Sequence, residues 1–445
     1  MLSNQVSPIS HSQSDQPNPP QTTDSPSEIR CEYCQRKWKK ILLTSLATAL
    51  MMTICVIVSI IMAKKHSDLL VTVARRTTTT SVTATTSTTI TTISVTTTTA
   101  TTTTTTTMFT KGWITAAKLN INRHQHTATV LQNGQVLITG GRSEKGVLRE
   151  CELYDPLRDR WTLVANMSAP RNYHTASLLT NGLVLVTGGE NSDGFLSTAE
   201  LYDASVNTWT NTRSMIYHRY QHKATVLQNG KVLVTGGWHK ERGNLDNHEL
   251  YDPQTGVWTA TQNMNCARVY HQASLLTNGK VLITGGVGSC SIGTSGKTSE
   301  LYDPKAGAWI KTNDMNFDRH EHTATVLQDG RVLITGGSSV VGVTWNSAEL
   351  FNPLTNQWNA TRSVNTPRSY HTASLLTSGK VLVVGGFSGA SSDRAELYDP
   401  STGTWTATGN MKYRRSYHTA SLLTSGKVLA VGGSLSSRDG ITEIY

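Results

Sequence analysis

The sequence predicts an all-β chain in which seven four-stranded units close into a ring, and three observations carry that prediction. A phrase of about 48 residues is written seven times, each copy ending in Gly-Gly. Inside each copy, two apolar runs flank a turn dipeptide. Glu-Leu-Tyr-Asp-Pro or a close variant then follows, with a Trp behind it in six copies. Self-similarity at this period means an array of supersecondary units, because one unit cannot bury its apolar face alone.

The elements follow in chain order. The glycine pairs are Gly140 and Gly141, Gly188 and Gly189, Gly236 and Gly237, Gly285 and Gly286, Gly336 and Gly337, Gly385 and Gly386, and Gly432 and Gly433. With no helix after them they have no phosphate role and read as backbone geometry. Seven residues before each pair stands Asn-Gly, Asp-Gly or Ser-Gly, as at Asn133-Gly134 and Asp329-Gly330. Such dipeptides supply the positive φ of a primed two-residue hairpin turn. After a variable loop, Glu152, Glu200, Glu249, Glu300, Glu349 and Glu396 lead to Trp161, Trp209, Trp258, Trp309, Trp358 and Trp405. The Asp-Pro-x-Thr-Gly sequences between them read as tight turns joining a third strand to a fourth.

Gly-Gly, then Tyr beyond a loop, then Trp resembles the kelch motif, and the resemblance covers residues 111–445. It implies a seven-bladed kelch β-propeller, in agreement with the strand count, since four-stranded sheets at this period close into a ring with short, protected edges. The seventh unit stops at Glu443-Ile444-Tyr445 with no Trp strand, and a spare one stands at Trp113. That amino-terminal strand is expected to complete the last blade and close the ring. Units one, three and five share one hairpin wording and the other four a second, which points to blades multiplied in pairs.

Residues 41–63 carry no charge over a length that crosses a bilayer as a helix. They follow a polar segment, 1–40, expected to be a disordered cytoplasmic tail, so the span reads as a retained signal anchor. Between Thr77 and Thr107, 22 of 31 residues are Thr, the composition of an O-glycosylated stalk, and 64–110 is assigned that role. The expected protein is single-pass in the cell membrane, type II, with its propeller extracellular. Asn166 and Asn359 open Asn-x-Ser/Thr glycosylation sites on that side. Cys266 and Cys290 share the fourth unit and could meet, leaving Cys151. Cys31 and Cys34 beside the span cannot alone make a zinc site.

Of the net charge of +10, +4 belongs to residues 1–110 (nine Lys/Arg, five Asp/Glu) and +6 to the ring. That excludes nothing acidic as a partner but makes nucleic acid an unexpected one.

Each unit opens with Arg-x-x-His, from Arg123 and His126 to Arg415 and His418. Equivalent histidines one blade apart are too far separated to share an ion, so they read as structural, bonded to nearby backbone. The arginines are expected to pair with the motif glutamates. Tyr173-His174, Tyr270-His271, Tyr370-His371 and Tyr417-His418 also resemble the Tyr-His pair of galactose oxidase-like copper-radical oxidases. That resemblance implies a copper site needing a Cys-Tyr cross-link and a further His from a following domain, neither of which has a source here. No cofactor, metal or catalytic residue is expected. A purely structural spacer is the third reading.

Kelch propellers bind through the loops before the first strand and between the second and third. The resemblance therefore implies recognition of an extracellular protein or glycan by Gln125, Tyr173, Gln221, Tyr270, Glu321, Tyr370 and Tyr417, each preceding a motif His. Trp238, His239, Trp345 and Phe387 in the second loops join them, exposed aromatics beside polar groups being suited to sugars and peptides.

Overall fold

The computed structural model describes residues 112–290, 293, 295–390, 392–435 and 440–445. The expected tail, span and stalk lie outside the described residues. Among the described residues no helix is long and apolar enough to cross a membrane.

Seven four-stranded antiparallel sheets form the blades. Blade one is Thr127–Val130, Val136–Thr139, Cys151–Asp155 and Arg160–Val164, paired in that order. The second strands are apolar on both faces, as in Val136–Thr139, and buried throughout, because each blade is sandwiched between two others. The core clusters accordingly mix residues of neighbouring blades, Val136, Ile138 and Tyr154 with Leu423, Leu429 and Val431 for example. Around the axis the first strands face one another in sequence, and Thr127–Val130 meets Thr419–Leu422 to complete the circle.

The hairpins are not the two-residue primed turns that the dipeptides suggested. In blade one the Leu131 amide donates to the Gln135 carbonyl at 2.8 Å and the Gly134 amide to the Leu131 carbonyl at 2.9 Å. Three residues are enclosed, and of these Gly134 alone has positive φ, 82°. This is a type I turn followed by a left-handed glycine. Asn133 stays right-handed because its Oδ1 accepts the Gln135 amide at 3.0 Å, a closure that Asn, Asp and Ser favour.

A seam of identical contacts joins the blades. Each motif Arg is fully buried and reaches the Glu of its own third strand at 2.6–2.8 Å, as in Arg171–Glu200 at 2.7 Å. A second guanidinium nitrogen donates to the carbonyl of the first glycine of the pair, Arg171 to Gly188 at 2.8 Å. The second glycine's amide donates to the carbonyl of the next blade's Arg in every blade. Gly141 bonds in this way to Arg171, Gly189 to Arg219, Gly237 to Arg268, Gly286 to Arg319, Gly337 to Arg368, Gly386 to Arg415 and, across the closure, Gly433 to Arg123, at 2.8–2.9 Å. Both glycines of a pair thus act through their main chain. Glycine is needed because a Cβ on Gly140 would lie 2.4 Å from the Arg171 carbonyl oxygen, at φ 55°. On the outer rim the motif Trp of each of blades one to six donates to a carbonyl of the preceding blade, Trp209 Nε1 to Ala165 at 2.8 Å.

Blade seven is finished by Ile114–Thr115, which pairs with Thr442–Ile444 through Ile114↔Ile444 and Thr115↔Glu443. Trp113 packs on Tyr445 with ring centroids 5.3 Å apart. Its Nε1 has no acceptor, unlike the six other motif tryptophans. Cys266 and Cys290 form a disulfide. Cys151 is free and buried, and burial pushes its thiol up to about 12.

Candidate functional site at the channel mouth

The residue before each motif His must reverse the chain. Its predecessor pairs with the outer loop, as Asn172 does with Glu190, while the residue after the His enters the first strand. All seven of these positions, Gln125, Tyr173, Gln221, Tyr270, Glu321, Tyr370 and Tyr417, have left-handed φ of 51–58°, and none is glycine. The conformation costs side-chain-bearing residues about 1 kcal/mol each or more. What holds it is a head-to-tail run of main-chain bonds: the Tyr173 amide donates to the Gln125 carbonyl, Gln221 to Tyr173, Glu321 to Tyr270, Tyr370 to Glu321, Tyr417 to Tyr370 and Gln125 to Tyr417, at 3.1–3.4 Å. The fold thus brings all seven expected mouth residues onto one rim, which leads into a cavity of about 440 Å³.

Side chains differ around that rim. Tyr370 and Tyr417 stack at 3.8 Å. Gln125 Nε2 donates to the Tyr173 hydroxyl, and Asn172 Nδ2 donates to Gln125 Oε1 at 3.1 Å. Removal from water raises the Glu321 carboxyl to about 8 and pushes the Tyr173 and Tyr417 phenols up. The rim is therefore aromatic and nearly uncharged at neutral pH.

The second-loop residues have separate surroundings. Trp238 meets Phe195 and Tyr220 edge-on, at 5.1 and 5.9 Å, and Phe195 stacks on Tyr220 at 4.8 Å. Tyr220 continues to Tyr173 at 6.0 Å, so an aromatic platform runs from blade three to the rim. Trp345 donates from Nε1 to the Asp318 carbonyl at 2.8 Å and packs on Phe317 at 5.0 Å; it holds its own loop. Phe387 is exposed. Phe195 and Tyr220 are the members that the sequence reading missed. They stand where the copies differ, Tyr220 answering to His124, Asn172, Val269, His320, Ser369 and Ser416, and that divergence is the signal that could have found them. Asn166 and Asn359 are both exposed.

His239 is buried and stacks on His218 at 3.7 Å, with Glu241 at 3.2 and 3.4 Å from one nitrogen of each. These three donor atoms lie within 4.8 Å of one another. The Glu241 amide already donates to His239 Nδ1 at 3.2 Å, and a cation would have to displace that bond.

The motif histidines bond to side chains through Nε2, beyond the backbone bonds that the sequence reading expected and that His174 and His222 make to Arg171 and Arg219. Each Nε2 meets a Thr hydroxyl of the preceding blade, His174 meeting Thr127 at 3.0 Å and Thr139 at 2.9 Å. Burial and the adjacent arginine hold all seven rings well below the usual range, so they are neutral. In each Tyr-His pair the Tyr lines the mouth, and the Nε2 of the buried His is taken up by a threonine of the preceding blade.

Comparison with known proteins agrees with this architecture. Among curated proteins no sequence relative matches. The solved structure of a fungal alcohol oxidase of the AA5 family in complex with copper is similar in fold, with a TM-score of 0.62 and 20% identity over 75% of this chain and 76% of that chain. The kelch motif matches residues 368–412. The Attractin/LZTR1 β-propeller matches residues 87–347, more than half of the chain, and the protein belongs to that family.

Proposed function

We propose that the protein is a non-catalytic binding module that recognises a protein or glycan ligand with its channel mouth and the neighbouring platform. Propellers of the kelch and Attractin/LZTR1 type often mediate protein binding. One observation carries the reading: seven side-chain-bearing residues are held in a costly backbone conformation on one rim, and their side chains differ although the seam beneath is uniform. Strain kept where the copies diverge is a mark of recognition. In this proposal the ring stands outside the cell, with 1–40 cytoplasmic, 41–63 in the membrane and 64–110 as a glycosylated stalk.

The test is a screen of the full chain in detergent against arrayed cell-surface proteins and glycans, repeated with Tyr370→Ala and Trp238→Ala. A saturable partner weakened by either substitution is expected. A partner indifferent to both, or stoichiometric copper with peroxide released from an alcohol or aldehyde, overturns the proposal. Protection of the ring from protease added to intact cells overturns the extracellular placement.

A further inference from the structure

Directly after the motif His, five blades place a threonine: Thr127, Thr175, Thr323, Thr372 and Thr419. Each of these hydroxyls bonds to the Nε2 of the next blade's histidine at 2.9–3.0 Å. Blade four has Gln272 instead, whose Nε2 donates to the His322 carbonyl at 2.6 Å. Blade three has Lys223. The repeat supplies its own control here, because the same backbone position is filled seven times in the same setting.

Lys223 lines the channel cavity. The residue is half-buried, and among the described residues no acceptor bonds to its amine and no carboxylate acts on it; partial removal from water pulls its pKa down. The acidic residue of the rim, Glu321, exerts no charge on it, and nor does any of the seven motif glutamates, which are committed to arginines. The substitution also forfeits a hydrogen bond, since His271 Nε2 is left with Thr235 at 2.9 Å where His174 has two hydroxyls. A threonine here would restore that bond, so the lysine is the less stabilising choice for the fold. Five sister blades demonstrate that the fold accepts the threonine.

We propose that Lys223 anchors a carboxylate entering through the mouth, the acidic side chain of the partner protein. The inference rests on the binding reading above and names the chemistry of what is bound. The cavity has room for a glutamate side chain, and the rim through which that side chain would pass is rich in hydroxyl and amide groups able to donate hydrogen bonds. An ammonium on the channel wall can make a charge-assisted bond to an entering carboxylate.

The experiment compares the full chain with Lys223→Thr, which installs the residue of the sister blades, and Lys223→Met, which keeps the stem and removes the charge. Thermal unfolding is followed with glutarate, which carries the glutamate carboxylate, and with the uncharged glutaramide. Without additive, Lys223→Thr is expected to melt higher than the native chain. Glutarate is expected to raise the native midpoint and leave both variants unmoved, and glutaramide to do nothing. For a partner protein found by the screen, Lys223→Met is expected to weaken binding by about tenfold or more. A Lys223→Thr chain that melts lower, or a glutarate response that both variants retain, overturns the inference. Glutarate protection with partner affinity unchanged in Lys223→Met would assign the anchor to a small free carboxylate and overturn the partner assignment. A partner lost by Tyr370→Ala but kept by Lys223→Met leaves the mouth reading standing while this inference falls.

Discussion

Arg171 and Tyr173 stand two residues apart and obey opposite rules. The arginine belongs to the seam: buried, bonded to Glu200 and to Gly188, and repeated without change in seven blades. The tyrosine belongs to the mouth: left-handed at φ 51°, bonded to its neighbours through main chain, and replaced by Gln or Glu in three blades. Strain and variation concentrate on the rim while the invariant Arg–Glu pairs lie beneath it. The difference teaches that a repeat can be uniform where it must assemble and free where it must recognise.

Acid should break the seam most severely. The seven motif histidines have depressed folded-state values, so below about 6.5 the unfolded chain takes up protons that the folded chain refuses. Their contribution is fully present above that pH and is lost as pH falls. Each histidine removes up to about 1.4 kcal/mol per pH unit, so seven together approach about 10 kcal/mol per unit. Urea midpoints measured from pH 7 to pH 5 should fall steeply; a flat profile would show that the rings are not held neutral.

Next in size is Glu200→Ala, which strands the Arg171 guanidinium in the core. It should cost about 3–5 kcal/mol by equilibrium unfolding, and a loss below about 1 kcal/mol would mean that water reaches the seam. Gly285→Ala should cost about 2–3 kcal/mol, since its Cβ would meet the Arg319 carbonyl oxygen at 2.3 Å. Gly342→Ala, with open space around its Cβ at φ 86°, should cost only about 1 kcal/mol. Equal losses at the two glycines would mean that dihedral strain, not the seam, demands the glycine pair.

The smallest effect has the opposite sign. Gln221→Gly should relieve left-handed strain and remove a buried carbonyl oxygen that has no partner. It should stabilise the ring by up to about 1 kcal/mol, the gain being reduced by the greater freedom of glycine in the unfolded chain. A Gln221→Gly chain clearly less stable than the native one would place this rim position with the seam.

The ring was legible in the sequence because the elements that build it are written as local words: the glycine pair, the turn dipeptide, Glu-Leu-Tyr and Trp. Even the borrowed strand at Trp113 could be counted. The hairpin type was misread because one positive φ and two positive φ favour the same Asn-Gly dipeptide, and the Asx closure at Asn133 decides between them. The seam was only half legible. Arginine was expected to meet glutamate, but the histidine's threonine partners lie one blade away and share no local pattern with it. Phe195 and Tyr220 became neighbours of Trp238 only once the blades were laid side by side. Lys223 departs from the threonine of five sister blades, but the sequence reading did not single it out, and its meaning depended on finding the channel around it.

The closing strand has a consequence for how the molecule is made. Ile114 meets Ile444 across 330 positions of chain, so blades one to six can be completed as they emerge during synthesis while the seventh waits for a partner left behind at the start. Until then the flanks of blades one and six are bare apolar surfaces, the kind that invites association with other chains. The last latch is a ladder of two residue pairs. The amide proton of Ala116, which bonds to the Thr442 carbonyl beside that latch, should exchange with solvent sooner than those joining third and fourth strands in the other blades, marking the place where the circle opens.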